Sequence, residues 1–288
     1  MAGATVEQVV RAAIVSAVER FLTHEPGLRT GTDPEDVHQA RVATRRLRSD
    51  LRTFDEFVAA DWAVELRTEL QWLGGELGAV RDLEVMRDRL QSHAASLPDP
   101  EAESARHAVA RLASETELAR ARIIAALGST RYAAARAAML EAADHPRTNA
   151  AASEPAPRAL RAVVRRPWKR LARAAGALGE EPTDEELHAV RVRVKRARYA
   201  TEAAAAVFGR PARRLAAALA HVQDVLGEHQ DAVVARQWLV KAAIEAPAEA
   251  FAMGALAQYE WRAAREARAA FPAAWSAARR PGLRTWMR

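Results

Sequence analysis

The chain has 288 residues, half of them apolar, a formal charge of +6 and a sequence pI of about 10.3. It has no cysteine, which excludes disulfides, thiolate chemistry and cysteine-ligated zinc, and no apolar run approaches the ~20 residues of a membrane span. Of its 43 basic residues only Lys169, Lys195 and Lys241 are lysine; codon bias accounts for that ratio as readily as function does, but not for where the arginines cluster.

In chain order, "MAGATVEQVVRAAIVSAVERFL" carries Glu7 and Glu19 and reads as an amphipathic helix rather than a signal peptide, so a cytoplasmic protein is expected. Helical periodicity then predicts elements near 5–23, 33–57, 61–93, 101–127 and 130–143. The 61–93 helix carries interruption signals at Gly74-Gly75 and Gly78. "DHPRTNAAASEPAP" (144–157) reads as a polar, proline-containing linker. Further helices follow near 158–178, 184–207, 211–226, 229–245 and 248–270, with a basic tail. No segment shows the period-two pattern of a strand, so the fold class is all-α.

The chain repeats itself. "DVHQARVATRRLRSDL" (36–51) aligns with "ELHAVRVRVKRARYAT" (186–201) at an offset of 150, matching His38 to His188, Arg41 to Arg191, Arg45 to Lys195, Arg46 to Arg196 and Arg48 to Arg198. "LQWLGGELGAVRDLEV" (70–85) aligns with "LAHVQDVLGEHQDAVV" (219–234) at 149, matching Gly78 to Gly227 and Asp82 to Asp231. Two matches in the same order argue for internal duplication. One domain is expected, made of a half at 1–145, a linker at 146–157 and a half at 158–288, the halves related by a pseudo-twofold axis.

On a helical wheel His38, Arg41, Arg45, Arg48 and Arg52 fall within an arc of roughly 80°, a row roughly 21 Å long. Arg46 lies off that arc. Leu47, Leu51, Phe54 and Val58 form a separate face and are expected in the core. His188, Arg191, Lys195 and Arg198 repeat the arc, with Arg196 off it. Glu202 stands where Arg52 does, and either shortens the row or forms a salt bridge at its end. A solvated helix mixes charge signs, because like pairs at i,i+4 destabilise it. Nothing acidic on that face offsets the row, so an anionic ligand is expected to supply the missing charge. "RALRAVVRRPWKRLARAAGAL" (158–178) adds Arg165, Arg166, Lys169, Arg170 and Arg173, with Pro167 as a kink or helix start.

Arginine forks grip phosphate oxygens bidentately and stay charged, and a long row suits a long ligand. Nucleic acid and inorganic polyphosphate both qualify. Tyr199 and Trp168 are the aromatics near the rows, and Asn and Gln are scarce, whereas nucleic-acid readers add stacking and base-edge groups; this favours phosphate alone. The aligned histidines read as further N–H donors, with tighter binding expected as pH falls. Neighbouring guanidiniums oppose a metal there, and "GEHQD" (227–231) with His221 is a weak metal pattern. No phosphate loop, nucleophile–base pair or paired carboxylates are recognisable, so no catalysis and no cofactor are expected. The alternatives are a histidine-dependent phosphotransfer or phosphohydrolase component, and a nucleic-acid-binding protein.

At these residues the chain resembles the CHAD family, the conserved-histidine α-helical domain. The resemblance runs over nearly the whole chain, through "VHQARVATRRLR" (37–48), "GAVRDLEV" (78–85), "LHAVRVRVKRARY" (187–199) and "VLGEHQDAVV" (225–234). It implies two four-helix-bundle halves around a basic central surface that binds inorganic polyphosphate, and association with polyphosphate granules. By motif position His38, Arg41, Arg45, Arg46, Arg48, His188, Arg191, Lys195, Arg196 and Arg198 carry over as binding residues. Arg81 fits the pattern as well, although Gln230 replaces it in the second half. Some members of the family are fused to a triphosphate-tunnel domain; this sequence lacks that domain's strand pattern, so polyphosphate-metabolising partners are expected as separate proteins.

Overall fold

The computed structural model describes residues 3–30 and 33–288, and among them it contains nine α-helices and no strand. These are α1 (Val6–Thr30), α2 (Pro34–Thr53), α3 (Ala60–Ala94), α4 (Glu101–Leu127), α5 (Thr130–Asp144), α6 (Ala156–Gly176), α7 (Asp184–Phe208), α8 (Arg210–Glu245) and α9 (Ala250–Ala278). The two helices that carry the basic rows start on strong caps. Asp33 accepts a hydrogen bond from the Glu35 amide at 2.8 Å, with Pro34 in the first turn. Thr183 and Glu186 form a reciprocal capping box, with bonds of 3.2 and 2.8 Å.

Several boundaries differ from the sequence reading. The expected helices at 211–226 and 229–245 are one helix, α8, which runs straight through Gly227. At 36 residues it is about 54 Å long. Likewise α3 continues through Gly74, Gly75 and Gly78, and α6 through Pro167. α1 passes Pro26 to Thr30, and α9 passes Pro272 to Ala278. Glycine costs ~1 kcal/mol in a helix interior, an amount that burial of a long helix overrides. The helix expected over 33–57 instead stops at Thr53 and gives way to a 3₁₀ turn at Asp55–Phe57. The tail forms another at Pro281–Met287. Among the described residues only Gly209, with φ of 61°, needs to be glycine for its backbone; it forms the tight corner between α7 and α8.

The linker is tied to the first half. Val6 N–H bonds Glu154 C=O at 3.0 Å, Ala156 N–H bonds Ala4 C=O at 2.9 Å, and Ala59 N–H bonds Arg147 C=O at 2.8 Å. α1 to α4 pack each on the next, and α6 to α9 do the same. The halves meet directly through α2 and α7. Alanines at the buried positions of both helices, such as Ala40, Ala43, Ala197 and Ala200, permit close approach.

Two apolar clusters hold the molecule. The larger takes in α1, α2, α6, α7, the proximal parts of α3 and α8 and the end of α9, and includes the expected Leu47, Leu51, Phe54 and Val58. The smaller lies at the far ends of two hairpins. There Leu90 and Ala94 of α3 and Leu112 of α4 meet Leu239 of α8 and Met253 and Leu256 of α9. No helix among the described residues is long and apolar enough to cross a membrane.

Candidate functional site

The crossing of α2 and α7 brings the two basic rows together. Arg41 and Arg45 from α2 and Arg191 and Lys195 from α7 line one pocket of about 350 Å³. Its other walls are Asp82, Val85, Met86 and Arg89 from α3, and Gln230, Asp231 and Val234 from α8. In α3 the lining residues follow Gly78 at intervals of one to three helical turns, and in α8 they follow Gly227 in the same way. Each glycine lies beside its half's arginine: a Cβ on Gly78 would come within 3.5 Å of Arg41 Nε, and one on Gly227 within 3.9 Å of Arg191 Nη2.

The expectation that nothing acidic offsets the row needs correction. Asp82 reaches over from α3 and pairs with Arg41 at 2.8 Å. It remains 69% exposed, so the pair is solvent-screened. The other three cations differ: among the described residues no carboxylate lies within 4 Å of Arg45, Arg191 or Lys195. The Arg191 Nε atom is buried without a hydrogen-bond partner. Burial, then the charges of Arg191, Arg45 and Arg41, push the Lys195 ammonium down to about 8, with Asp231 opposing the shift. At the pocket's edge Arg89 is fixed by carboxylates, bonding Glu260 at 2.7 Å and Glu228 at 3.0 and 2.7 Å. Glu260 is fully buried and also meets His93 Nδ1 at 2.7 Å.

Arg45 also lines a second opening of about 350 Å³, between α1, α2 and α7, together with Arg20, Arg46, Arg198 and Tyr199. Here the off-arc Arg46 is held by Asp50 at 2.8 Å and by Glu202 at 2.5 Å. Glu202 also takes Arg198 at 2.7 Å. Of the two roles open to Glu202, the structure shows the salt bridge, and it extends across to the other half. Burial pushes the Asp50 carboxyl up to about 6, against the pull of Arg46. Tyr199 is buried beneath Arg45 and Arg46, whose guanidinium carbons stand 6.0 and 5.9 Å from its ring centre, so its face is not open for stacking.

The histidines flank the central pocket. His38 is held below the ordinary histidine range by burial first and by the Arg81 guanidinium next. His188 Nδ1 lies 2.6 Å from Gln230 Oε1. Arg81 itself contacts the buried Glu84 at 3.4 Å.

The remaining candidates scatter. Arg48 donates to Gln71 at 3.0 Å, and Arg52 faces Arg48 and Arg196, so the row on α2 leaves the central pocket after Arg45. The α6 residues do not join that pocket. Arg165 donates to the Met287 carbonyl, and Arg166 pairs with Glu56. Lys169 and Arg165 line a cleft with Arg284 and Arg288 of the tail. Arg170, Arg173 and Arg196 line another with Arg193. Sequence reasoning missed Arg89, Arg193 and Arg20 as cations of these pockets. Arg89 carried a usable signal, lying three turns after Gly78 on the face that bears Asp82. Among the described residues no group of three or more His, Asp or Glu is arranged to hold a metal. His229 of the "GEHQD" stretch is buried, with Nε2 3.1 Å from Asp184.

Comparisons with known proteins fit this all-helical fold. The model of the CHAD domain matches residues 12–240. Uncharacterized proteins from two strains of Mycobacterium tuberculosis are each 35% identical over 263 residues, covering 87% of this chain and 49% of theirs. The chain thus spans about half the length of the curated relatives it matches. Among solved structures, PptA from Streptomyces chartreusis superposes with a TM-score of 0.82 at 25% identity, covering 95% of this chain and 100% of that one. The CHAD domain from the plant Ricinus communis gives 0.76 at 29% identity, covering 96% and 92%.

Proposed function

Because the chain belongs to the CHAD-domain family, we propose that it binds inorganic polyphosphate in the pocket between α2 and α7, and that it does so without catalysing a reaction. The observation that carries this reading is the convergence of Arg41, Arg45, Arg191 and Lys195 from two separate helices, three of them without a carboxylate within 4 Å among the described residues. Cations that repel one another are costly to hold in a half-buried pocket. A chain of phosphates, each offering several oxygens to guanidinium forks, would relieve that cost. The lining favours phosphate over nucleic acid, since it contains no aromatic and its one amide side chain, Gln230, faces His188. Through this pocket the protein would be recruited to polyphosphate granules and present there to separate polyphosphate-metabolising proteins. The matched glycines and arginines of the two halves are what an internal duplication would leave.

The test is binding of long polyphosphate at two salt concentrations, with DNA as competitor. Affinity should fall steeply with salt, because phosphate contacts release counterions, and polyphosphate should displace DNA at far lower phosphate concentration. Arg45→Glu with Lys195→Glu should weaken binding at least ~100-fold, as reversing two of four cations costs more than ~3 kcal/mol, while helical circular dichroism stays unchanged. Binding that ignores salt, or that survives the double reversal, would refute the reading. Release of orthophosphate or formation of phosphohistidine would instead favour the phosphotransfer alternative.

A further inference from the structure

Helix α7 is cationic on two opposite sides. At 100° per residue Arg191, Lys195 and Arg198 share one side, and Arg193 and Arg196 point the other way. That second side faces α6, where Arg170 and Arg173 stand about one turn apart. The four arginines, with Pro167, Ala174 and Ala177, line a pocket of about 420 Å³. Every ionisable residue in its lining is an arginine. Among the described residues none of the four has a carboxylate within 4 Å. Arg193 donates once, to the Ala189 carbonyl of its own helix at 2.8 Å. The contrast with neighbouring Arg166, which is paired with Glu56, shows that an α6 arginine can find an acid where one is provided. Here none is. The charge on Arg196 is disfavoured by burial and then by Arg52, Arg193 and Arg170.

We propose that this α6–α7 pocket is a second, independent phosphate-binding site, so that one molecule of the protein holds two polyphosphate segments on opposite sides of α7. The inference rests on the reading of the central pocket as a polyphosphate site, since the same ligand chemistry serves both. Its consequence is bivalency. A long chain caught at one site raises the local phosphate concentration at the other, which strengthens binding without new contacts. Two different chains caught on one molecule become cross-linked.

The experiment is calorimetric titration with inorganic tripolyphosphate at low salt, followed by light scattering with long polyphosphate. The variant is Arg193→Glu, which places a counter-ion among the remaining three arginines, with Arg193→Gln as a milder second variant. The wild type should bind one equivalent more than Arg193→Glu, and the central site's affinity should stay within about twofold. Arg193→Gln should weaken the second site about tenfold. Long polyphosphate should make wild-type solutions scatter light in proportion to protein, and Arg193→Glu should lose most of that scattering. Equal stoichiometry and equal scattering in wild type and Arg193→Glu overturn the inference. Failure of the central reading looks different: tripolyphosphate binding then persists in Arg45→Glu/Lys195→Glu at full stoichiometry and is lost in Arg193→Glu alone.

Discussion

His38 and His188 hold the same place in two matched helices, yet the residue facing each one differs. In the first half the position that faces the histidine is Arg81, and burial, then that guanidinium, hold His38 below the ordinary histidine range. In the second half it is Gln230, whose oxygen lies 2.6 Å from His188. The same divergence recurs down the rows. Arg46 is locked by Asp50 and Glu202, whereas its match Arg196 is exposed among other arginines. Arg45 is exposed, whereas its match Lys195 is half-buried and driven toward neutrality. Two rows written in nearly the same residues therefore do different work. Arg46 ties the halves together through Glu202, whereas among the described residues Arg196, Arg45 and Lys195 have no carboxylate within 4 Å.

The matched arginines give the sharpest way to break the comparison. Arg46→Ala leaves Asp50, 1% exposed, without its cation. Removing one partner of a buried pair costs about 3–5 kcal/mol. Arg196→Ala removes an arginine with no acid beside it and should change stability by no more than ~0.5 kcal/mol. Urea unfolding of the two variants measures the difference, and equal losses would contradict the assignment of Arg46 as the anchor. Asp50→Asn in the Arg46→Ala background should recover part of the loss.

A smaller effect separates Lys195 from Arg45. The folded-state pKa of Lys195 is depressed to about 8, below that of an unfolded lysine. The unfolded chain thus holds more protons between that value and about 10.4, so the free protein gains stability as pH rises through this window. Bound phosphate acts in the opposite direction and favours the ammonium, so affinity should fall several-fold between pH 7 and pH 9.5. Lys195→Arg should flatten that dependence, because arginine keeps its charge. A wild-type affinity independent of pH over this range would remove Lys195 from the site.

The smallest expected effect comes from making the two histidine corners alike. Arg81→Gln removes the cation that most disfavours protonation of His38, so the histidine should titrate at higher pH than in the wild type, as read by NMR. Polyphosphate affinity should fall by about twofold to fivefold, the worth of one peripheral charge at ~0.5–1 kcal/mol. An unchanged His38 titration would mean that burial and the remaining charges of Glu35, Arg45 and Arg41, not Arg81, set its proton affinity.

The rows were legible in the sequence because helical phase is local. Spacing alone placed His38, Arg41 and Arg45 on one side of α2 and put Leu47, Leu51, Phe54 and Val58 in the core. It failed where tertiary contacts decide. Asp82 reaches Arg41 from another helix, Glu202 reaches Arg46 from the other half, and Arg89 enters the pocket three turns beyond the matched motif. The break expected near Gly227 also failed, for the glycine sits beside Arg191 within an unbroken α8. The α6 arginines were read as one field with the rows, but α7 stands between them and the central pocket.

The central pocket lies part-way along both α3 and α8, with the larger apolar cluster at one end of it and the smaller at the other. Leu77 and Leu226 are packed on the near side, and Leu90 and Leu239 on the far side. Its walls are thus held at both ends, like a span between two piers, by packing that opposes both splaying by the guanidiniums and collapse of the groove. If the pocket takes a chain of phosphates as proposed, a guest would lose little free energy to rearranging its host.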